Sequence, residues 1–238
     1  MKKMEVLFPE LCNYFGDIGN VKYLKQCGIP LKQTAFTEQP AFLREGADFV
    51  YMGAMTERSQ ERIIEKLLPH KSRISELIES GTVFLFTGNA FEIMGKSIED
   101  SGREIPCLGL LDFHVKRDMM KRYSGLVLAQ FKDSETEMEI AGFRAQFTKC
   151  RLGDRGLQFT EVVRGDGMDD NDTGEGVRHK NFFGTYLLGP LLVTNPALTK
   201  YLLGLAGICP AQLPFEEELA AAYQKRLRDF KDKSIGVH

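Results

Sequence analysis

The stretch TVFLFTGNAFEIMG, residues 82–95, decides the fold. Its first half is almost purely apolar, as strands covered on both faces of a parallel sheet tend to be. A tight turn at Gly88 and Asn89 comes next, and a helix is expected behind it. Strand, sharp turn and helix is the layout that presents a catalytic nucleophile in many α/β enzymes. Here the tip of the turn carries no Cys or Ser. Glycine's tolerance of a sharp backbone accounts for Gly88 by itself.

Upstream, "MEVLF" (4–8) and "FVYMG" (49–53) read as further short strands. Between the second of these and residue 82 lies TERSQERIIEKLLPHKSRISELIESG (56–81). Ile63, Ile64, Leu67 and Leu68 recur at helical spacing, and Ile74, Leu77 and Ile78 do so again beyond Pro69. Thr56 is placed to cap the helix and Gly81 to stop it. Strand, helix and strand make a βαβ unit, whose right-handed crossover implies a parallel sheet.

Beyond about residue 104 the texture changes. "CLGLLDFHV" (107–115), "SGLVLAQF" (124–131), "MEIAGFRAQFT" (138–148) and "LQFTEVV" (157–163) are β-rich runs divided by polar or glycine-containing turns. They predict antiparallel strands added to the parallel sheet. The polar, acidic loop around 166–175 follows; it lacks the sixth-position glycine and closing Glu of an EF-hand, so a solvated loop is expected there. In YLLGPLLVTNPALTKYLLGLAG (186–207), Asn195 is expected to cap a helix with Pro196 in its first position. The tail PFEEELAAAYQKRLRDFKDK (214–233) puts acids in the first turn of a helix and bases in the last, matching the helix dipole. Leu219, Tyr223, Leu227 and Phe230 form one stripe along it. We therefore expect a domain over 1–210 and a C-terminal helix within 211–238, packed on that domain or on a partner.

Composition bounds the rest. The 238 residues suffice for a sizeable core without disulfides, and a net charge of −2 gives no footprint for nucleic acid. Five cysteines without a CxxC pair read as reduced thiols. The four histidines (70, 114, 179, 238) show neither HxH nor HxxxH spacing, so no metal site is expected. GxGxxG and GxxxxGK[ST] are both missing, and no cofactor is expected. The first residues are too short an apolar stretch for a signal peptide, and no run approaches a membrane span. A cytoplasmic location is the expectation.

Several stretches in order resemble a known family: YFGDIGN (14–20), TGNAFEIMG (87–95), LGLLDFH (108–114) and GEGVRHKNFFGTYLLGPLL (174–192), with Asn195–Pro196 after them. They resemble the glutaminase subunit of lipid II isoglutaminyl synthase and, more broadly, the class I glutamine amidotransferase domain of the cobyric acid synthase type. The resemblance spans roughly residues 5–205. It implies a three-layer α/β/α sandwich, flavodoxin-like, with a mostly parallel central sheet, added antiparallel strands and a nucleophile elbow. Active members attack the glutamine side-chain amide with a Cys thiolate, shuttle protons through a His and hold the oxyanion on backbone N–H groups. The ammonia passes to a Mur-ligase-like synthetase partner.

The carry-over of catalytic residues stops at two positions. The family elbow C-G-G-Y-Q-x-x-G becomes G-N-A-F-E-x-x-G, so the Cys position is Gly88 and the Gln position is Glu92. The family G-T-Y-L-H-G-P becomes Gly184–Pro190 with Leu188 at the His position. A further family His, in the stretch matching GFRAQFT, is Gln146 here. The resemblance leaves Arg122, Asn89, Glu92, Asp17 and Asn20 as candidate ligand-binding residues. Three functions are open: a non-catalytic regulatory or partner-docking subunit; an active amidotransferase using relocated residues, with Glu92 and Asp17 as acid–base groups; and a sensor that binds glutamine, glutamate or a stem peptide through Arg122.

Overall fold

The structure is a computed structural model that describes residues 2–170, 172–209 and 212–236. In chain order it comprises β1 (Met4–Leu7), α1 (Asp17–Gln26), β2 (Leu31–Thr34), α2 (Phe42–Glu45), β3 (Phe49–Met52), α3 (Glu57–Leu67), α4 (Lys71–Glu79), β4 (Val83–Thr87), β5 (Ser97–Asp100), β6 (Arg103–Pro106), β7 (Phe113–Arg117), β8 (Tyr123–Lys132), β9 (Glu137–Gln146), β10 (Thr148–Leu152), β11 (Gln158–Arg164), β12 (Gly174–His179), β13 (Phe182–Thr185), α5 (Leu191–Thr194), α6 (Pro196–Leu205) and α7 (Glu216–Lys231).

One sheet runs β2-β1-β3-β4-β13-β12-β11-β8-β9. The half from β2 to β13 is parallel. The half from β13 to β9 is antiparallel. β4 sits centrally, and all five of its residues are buried. Phe84 and Phe86 point into a core shared with α3 and α4, while Val83 and Leu85 point into one shared with α1 and α6. That alternation, with helices on both faces, makes the three-layer α/β/α sandwich the sequence implied. A second sheet, β10-β7-β5-β6, packs into the α3 side through Ile98, Ile105, Phe113 and Val115.

Local signals explain most boundaries. Thr56 Oγ1 accepts the Ser59 N–H at 3.1 Å, which fixes the start of α3. Pro69 divides α3 from α4 through a short 3₁₀ turn. Gly81 adopts φ +94° as the chain turns into β4. The stripe on α7 packs Leu227 and Phe230 against Leu128 and Ala141 of β8 and β9, and Tyr223 donates to the Glu139 carbonyl at 2.5 Å. The boundary expected at 210/211 falls on Pro210 and Ala211, which lie outside the described residues, as does His238.

One local expectation is refined and two need correction. The helix behind the elbow is a 3₁₀ helix, Gly88–Met94, and not an α-helix. Gly95 follows it in extended backbone, at a place where a Cβ would meet the Phe113 ring at 2.5 Å. Asn195 stands at the N-cap of α6 without capping it. Its amide instead accepts the Ala141 N–H (2.9 Å) and donates to the Ala141 carbonyl (3.0 Å), pinning α6 to β9. The acidic stretch is not simply solvated: Asp166, Asp169, Asp170 and Asp172 pair with Arg144, Arg151, Lys149 and Arg155, and residues 174–175 already belong to β12. Asn171 of that stretch is outside the described residues.

Candidate functional site

The parallel pairing of β4 with β3 and β13 brings three chain segments to one end of the sheet. Thr87 is in register with Thr185, so residues 88 and 188 emerge side by side. Gly88 holds φ +59°, the left-handed conformation of an elbow, and Leu188 is 4% exposed. Leu188 is also held by its backbone, its N–H donating to the Phe143 carbonyl of β9 at 2.8 Å.

A cavity of about 140 Å³ opens beside Gly88 and Leu188. Tyr14, Phe15 and Phe147 give it aromatic lining, and Glu92, Arg117, Thr148 and Gln146 supply its buried polar side chains. Among the described residues no Cys, Ser, His or Lys lines it.

Glu92 is fully buried and accepts hydrogen bonds from Thr148 Oγ1 (2.6 Å), Gln60 Nε2 (2.7 Å) and Tyr186 Oη (2.9 Å). Burial raises its pKa above the usual carboxylate value, against the pull of those donors and of Arg117. Asn89 spends its amide on the neighbouring loop: Oδ1 accepts the Met55 N–H (3.0 Å) and Nδ2 donates to the Met55 carbonyl (2.9 Å).

Asp17 and Asn20 belong to a different network, behind the elbow. Asp17 Oδ2 accepts the Ala54 N–H (2.6 Å) and the Thr87 hydroxyl (2.9 Å), and Oδ1 accepts Asn20 Nδ2 (3.2 Å). Asn20 reaches the Tyr51 hydroxyl and accepts the Leu192 N–H. Both side chains are fully buried and do not line the cavity. Burial raises the Asp17 pKa despite its donors. The network ties the ends of β3 and β4 to α1 and α5. Arg122 is exposed and does not line the cavity; its guanidinium lies 6.0 Å from the ring of Phe15, which does.

Two further reactive side chains, a thiol and an imidazole, lie away from the cavity. Cys107 is buried outside the cavity, and burial pushes its thiol up to about 12. His179 pairs with Glu79 at 2.8 Å, and its register partner Phe182 is at the end of β13 opposite the elbow.

The sequence reading missed Ala54 and Arg117. A Cβ built on Gly88 would lie 2.6 Å from the Ala54 Cβ and 3.1 Å from Leu188 Cδ2. The signal for Arg117 was present: "FHVKR" alternates strictly, so Phe113, Val115 and Arg117 share one buried face. A cation on the apolar face of a strand asks for partners. Nothing in "MGAM" (52–55) marked Ala54.

A central parallel sheet, an elbow on its fourth strand and an antiparallel extension define a glutamine amidotransferase-type α/β protein. Residues 3–196 match the CobB/CobQ-like glutamine amidotransferase domain, and the chain belongs to that family. It is 31% identical over 210 residues to the lipid II isoglutaminyl synthase (glutamine-hydrolyzing) subunit GatD of Staphylococcus aureus, covering 86% of this chain and 83% of that protein. The subunit of the same name from Streptococcus pneumoniae is 27% identical over 197 residues, covering 81% and 75%. Among solved structures, PurLQS from Thermotoga maritima superposes with a TM-score of 0.58 at 13% identity, covering 95% of this chain and 99% of that one. That last likeness concerns the fold alone. Among the described residues no helix is long and apolar enough to cross a membrane.

Proposed function

We propose that this protein is a non-catalytic glutamine amidotransferase-like subunit, one that keeps the fold and a cavity of its family and acts by docking on or regulating a synthetase. The observation that carries this reading is the crowding at Gly88. Position 88 lacks a sulfur, and Ala54 occupies the space that a side chain there would need. Ordinary carbon contacts lie at about 3.5–4.0 Å, so 2.6 Å is a collision.

The surrounding groups support the same reading. An oxyanion hole needs backbone N–H groups aimed at the developing charge and free to receive it. In the loop packed on the elbow, the Ala54 N–H is given to Asp17 and the Met55 N–H to Asn89. Leu188 offers an alkyl group where a proton shuttle would act. The relatives are subunits of a synthase, which favours a synthetase partner of the Mur-ligase-like kind that the resemblance implied.

Ammonia release from glutamine tests the proposal, with and without a candidate synthetase. Silence from wild type in both is expected. Turnover by wild type that disappears in Glu92→Gln would replace the proposal with an active amidotransferase using relocated residues.

A further inference from the structure

The mouth of the cavity gathers apolar side chains that the core does not use. Tyr14 and Phe15 line it and stay 43% and 47% exposed, with ring centroids 6.3 Å apart. Phe15 presents its ring from φ +55°, a left-handed conformation that bulky residues rarely adopt and that collects at binding sites. The turn between β7 and β8 is tied to the same lining, the Asp118 N–H donating to the Phe147 carbonyl at 2.8 Å. On that turn Met119 is exposed and Met120 is 95% exposed. Large apolar groups clustered in solvent mark a contact surface. Inside, both Glu92 oxygens already accept hydrogen bonds, and the accessible wall is mostly apolar, with Ala54, Met55, Phe147 and Leu188 in it. The cavity measures about 140 Å³, and an apolar cavity of about 150 Å³ holds a group the size of benzene.

Charge at the rim narrows the occupant. Lys121 and Arg122 follow Met120 on the turn, and both are exposed. Neither forms an ion pair among the described residues; their cations lie 5.1 Å from the Tyr123 ring and 6.0 Å from the Phe15 ring. Apart from buried Glu92, the one carboxylate lining the cavity is Glu57, in the first turn of α3. We propose that the cavity is a socket for a partner protein, which inserts one aromatic side chain carried on a segment whose flanking carboxylates meet Lys121 and Arg122. This rests on the reading of the chain as a docking subunit and names the kind of segment it docks. A recess of this size suits a single inserted side chain better than it suits a lipid surface, which needs apolar groups that protrude. The inserted ring supplies most of the affinity, and the exposed cations set partner choice and orientation.

The test is an NMR titration of the full chain, following the Ala54 and Leu188 methyl resonances, with the peptide acetyl-EEFEE methylamide as probe. The methylamide end keeps a primary carboxamide out of the experiment. Peptides EEAEE and KKFKK with the same ends are the comparisons. EEFEE should shift both methyls and bind about tenfold or more tightly than either comparison peptide. Lys121→Glu/Arg122→Glu, at two exposed positions that the fold does not depend on, should turn the preference toward KKFKK. Equal binding of EEFEE and EEAEE, equal binding of EEFEE and KKFKK, or no binding overturns the proposal. Methyl shifts with anionic phosphatidylglycerol vesicles but not with EEFEE also overturn it, as does self-association of the free chain that shifts the same methyls, because a membrane or a second copy then fills the mouth. Ammonia release from glutamine by wild type would overturn the non-catalytic reading and leave the measured peptide preference standing, so the two failures are distinguishable.

Discussion

Restoring the family's reactive groups at positions 88 and 188 should fail unless residue 54 changes with them. In Gly88→Cys a β-carbon enters a backbone at φ +59°, which costs an L-residue about 1–2 kcal/mol. The same carbon lies 2.6 Å from Ala54 Cβ and 3.3 Å from Ala54 Cα, an overpacking worth about 1–3 kcal/mol. Gly88→Cys should therefore destabilise by roughly 2–5 kcal/mol. For a chain of this size each kcal/mol lowers Tm by about 2–4 °C. Ala54→Gly alone should cost up to about 1 kcal/mol in backbone entropy. Combined with Gly88→Cys it should recover the overpacking component, giving a favourable coupling of about 1–3 kcal/mol in a double-mutant cycle. Urea unfolding of the four proteins measures this coupling. Additive effects, within the usual scatter of about 0.3–0.5 kcal/mol, would refute the steric argument. Glutaminase activity then reads out function: Gly88→Cys/Leu188→His should stay silent, and only the triple variant with Ala54→Gly has room for the thiol.

Other perturbations report on the groups around the site. Burial lifts the Glu175 carboxyl to about 7, against hydrogen bonds from Thr185 and the Tyr186 N–H. Because that lies above the ordinary 4.5, Glu175 contributes its full stability below pH 4.5 and loses it as pH rises through about 7, a change of roughly 3 kcal/mol. Glu175→Gln should flatten the fall in urea stability across this window; an unchanged slope would contradict the assignment. Asp17→Ala strands the Ala54 N–H in the interior and leaves the Thr87 hydroxyl only its contact with the Tyr51 hydroxyl. It should cost about 2–5 kcal/mol at neutral pH, measured by denaturant unfolding. Thr56→Ala removes the cap of α3 and should cost about 1 kcal/mol, with a matching drop in Tm.

In the parallel half of the sheet β1, β3 and β4 were readable because their signals are local, whereas β2 and β13 were not read. "TVFLF" is apolar throughout, Thr56 and Gly81 bound the helical crossover, and Ile63 to Ile78 keep helical spacing. The hairpin of β5 and β6 escaped, since "SIEDSGREIP" is mostly polar and only Ile98 and Ile105 face the core. The pairing order of β8 to β12 depends on contacts between distant segments, which periodicity does not encode. At the site, Gly88, Asn89, Glu92 and Leu188 were found because they fall inside contiguous motifs. Asp17 and Asn20 were also found, yet the structure gives them to a network behind the elbow. Arg117 and Gln146 come from separate strands whose meeting needed the fold.

The Ala54–Gly88 contact also governs which mutational routes through sequence space stay open. A thiol at position 88 becomes tolerable only after position 54 has shrunk, and it acquires a base only after position 188 has changed. Leu188, anchored to Phe143 through its backbone, can change its side chain without moving its place. The order of events is therefore asymmetric. Filling the space beside a glycine is one easy step, whereas regaining a nucleophile takes several substitutions, the first of which brings no function by itself. Random single-site mutagenesis should therefore never recover a glutaminase from this chain, while a library varying 54, 88 and 188 together searches the route that sterics permit.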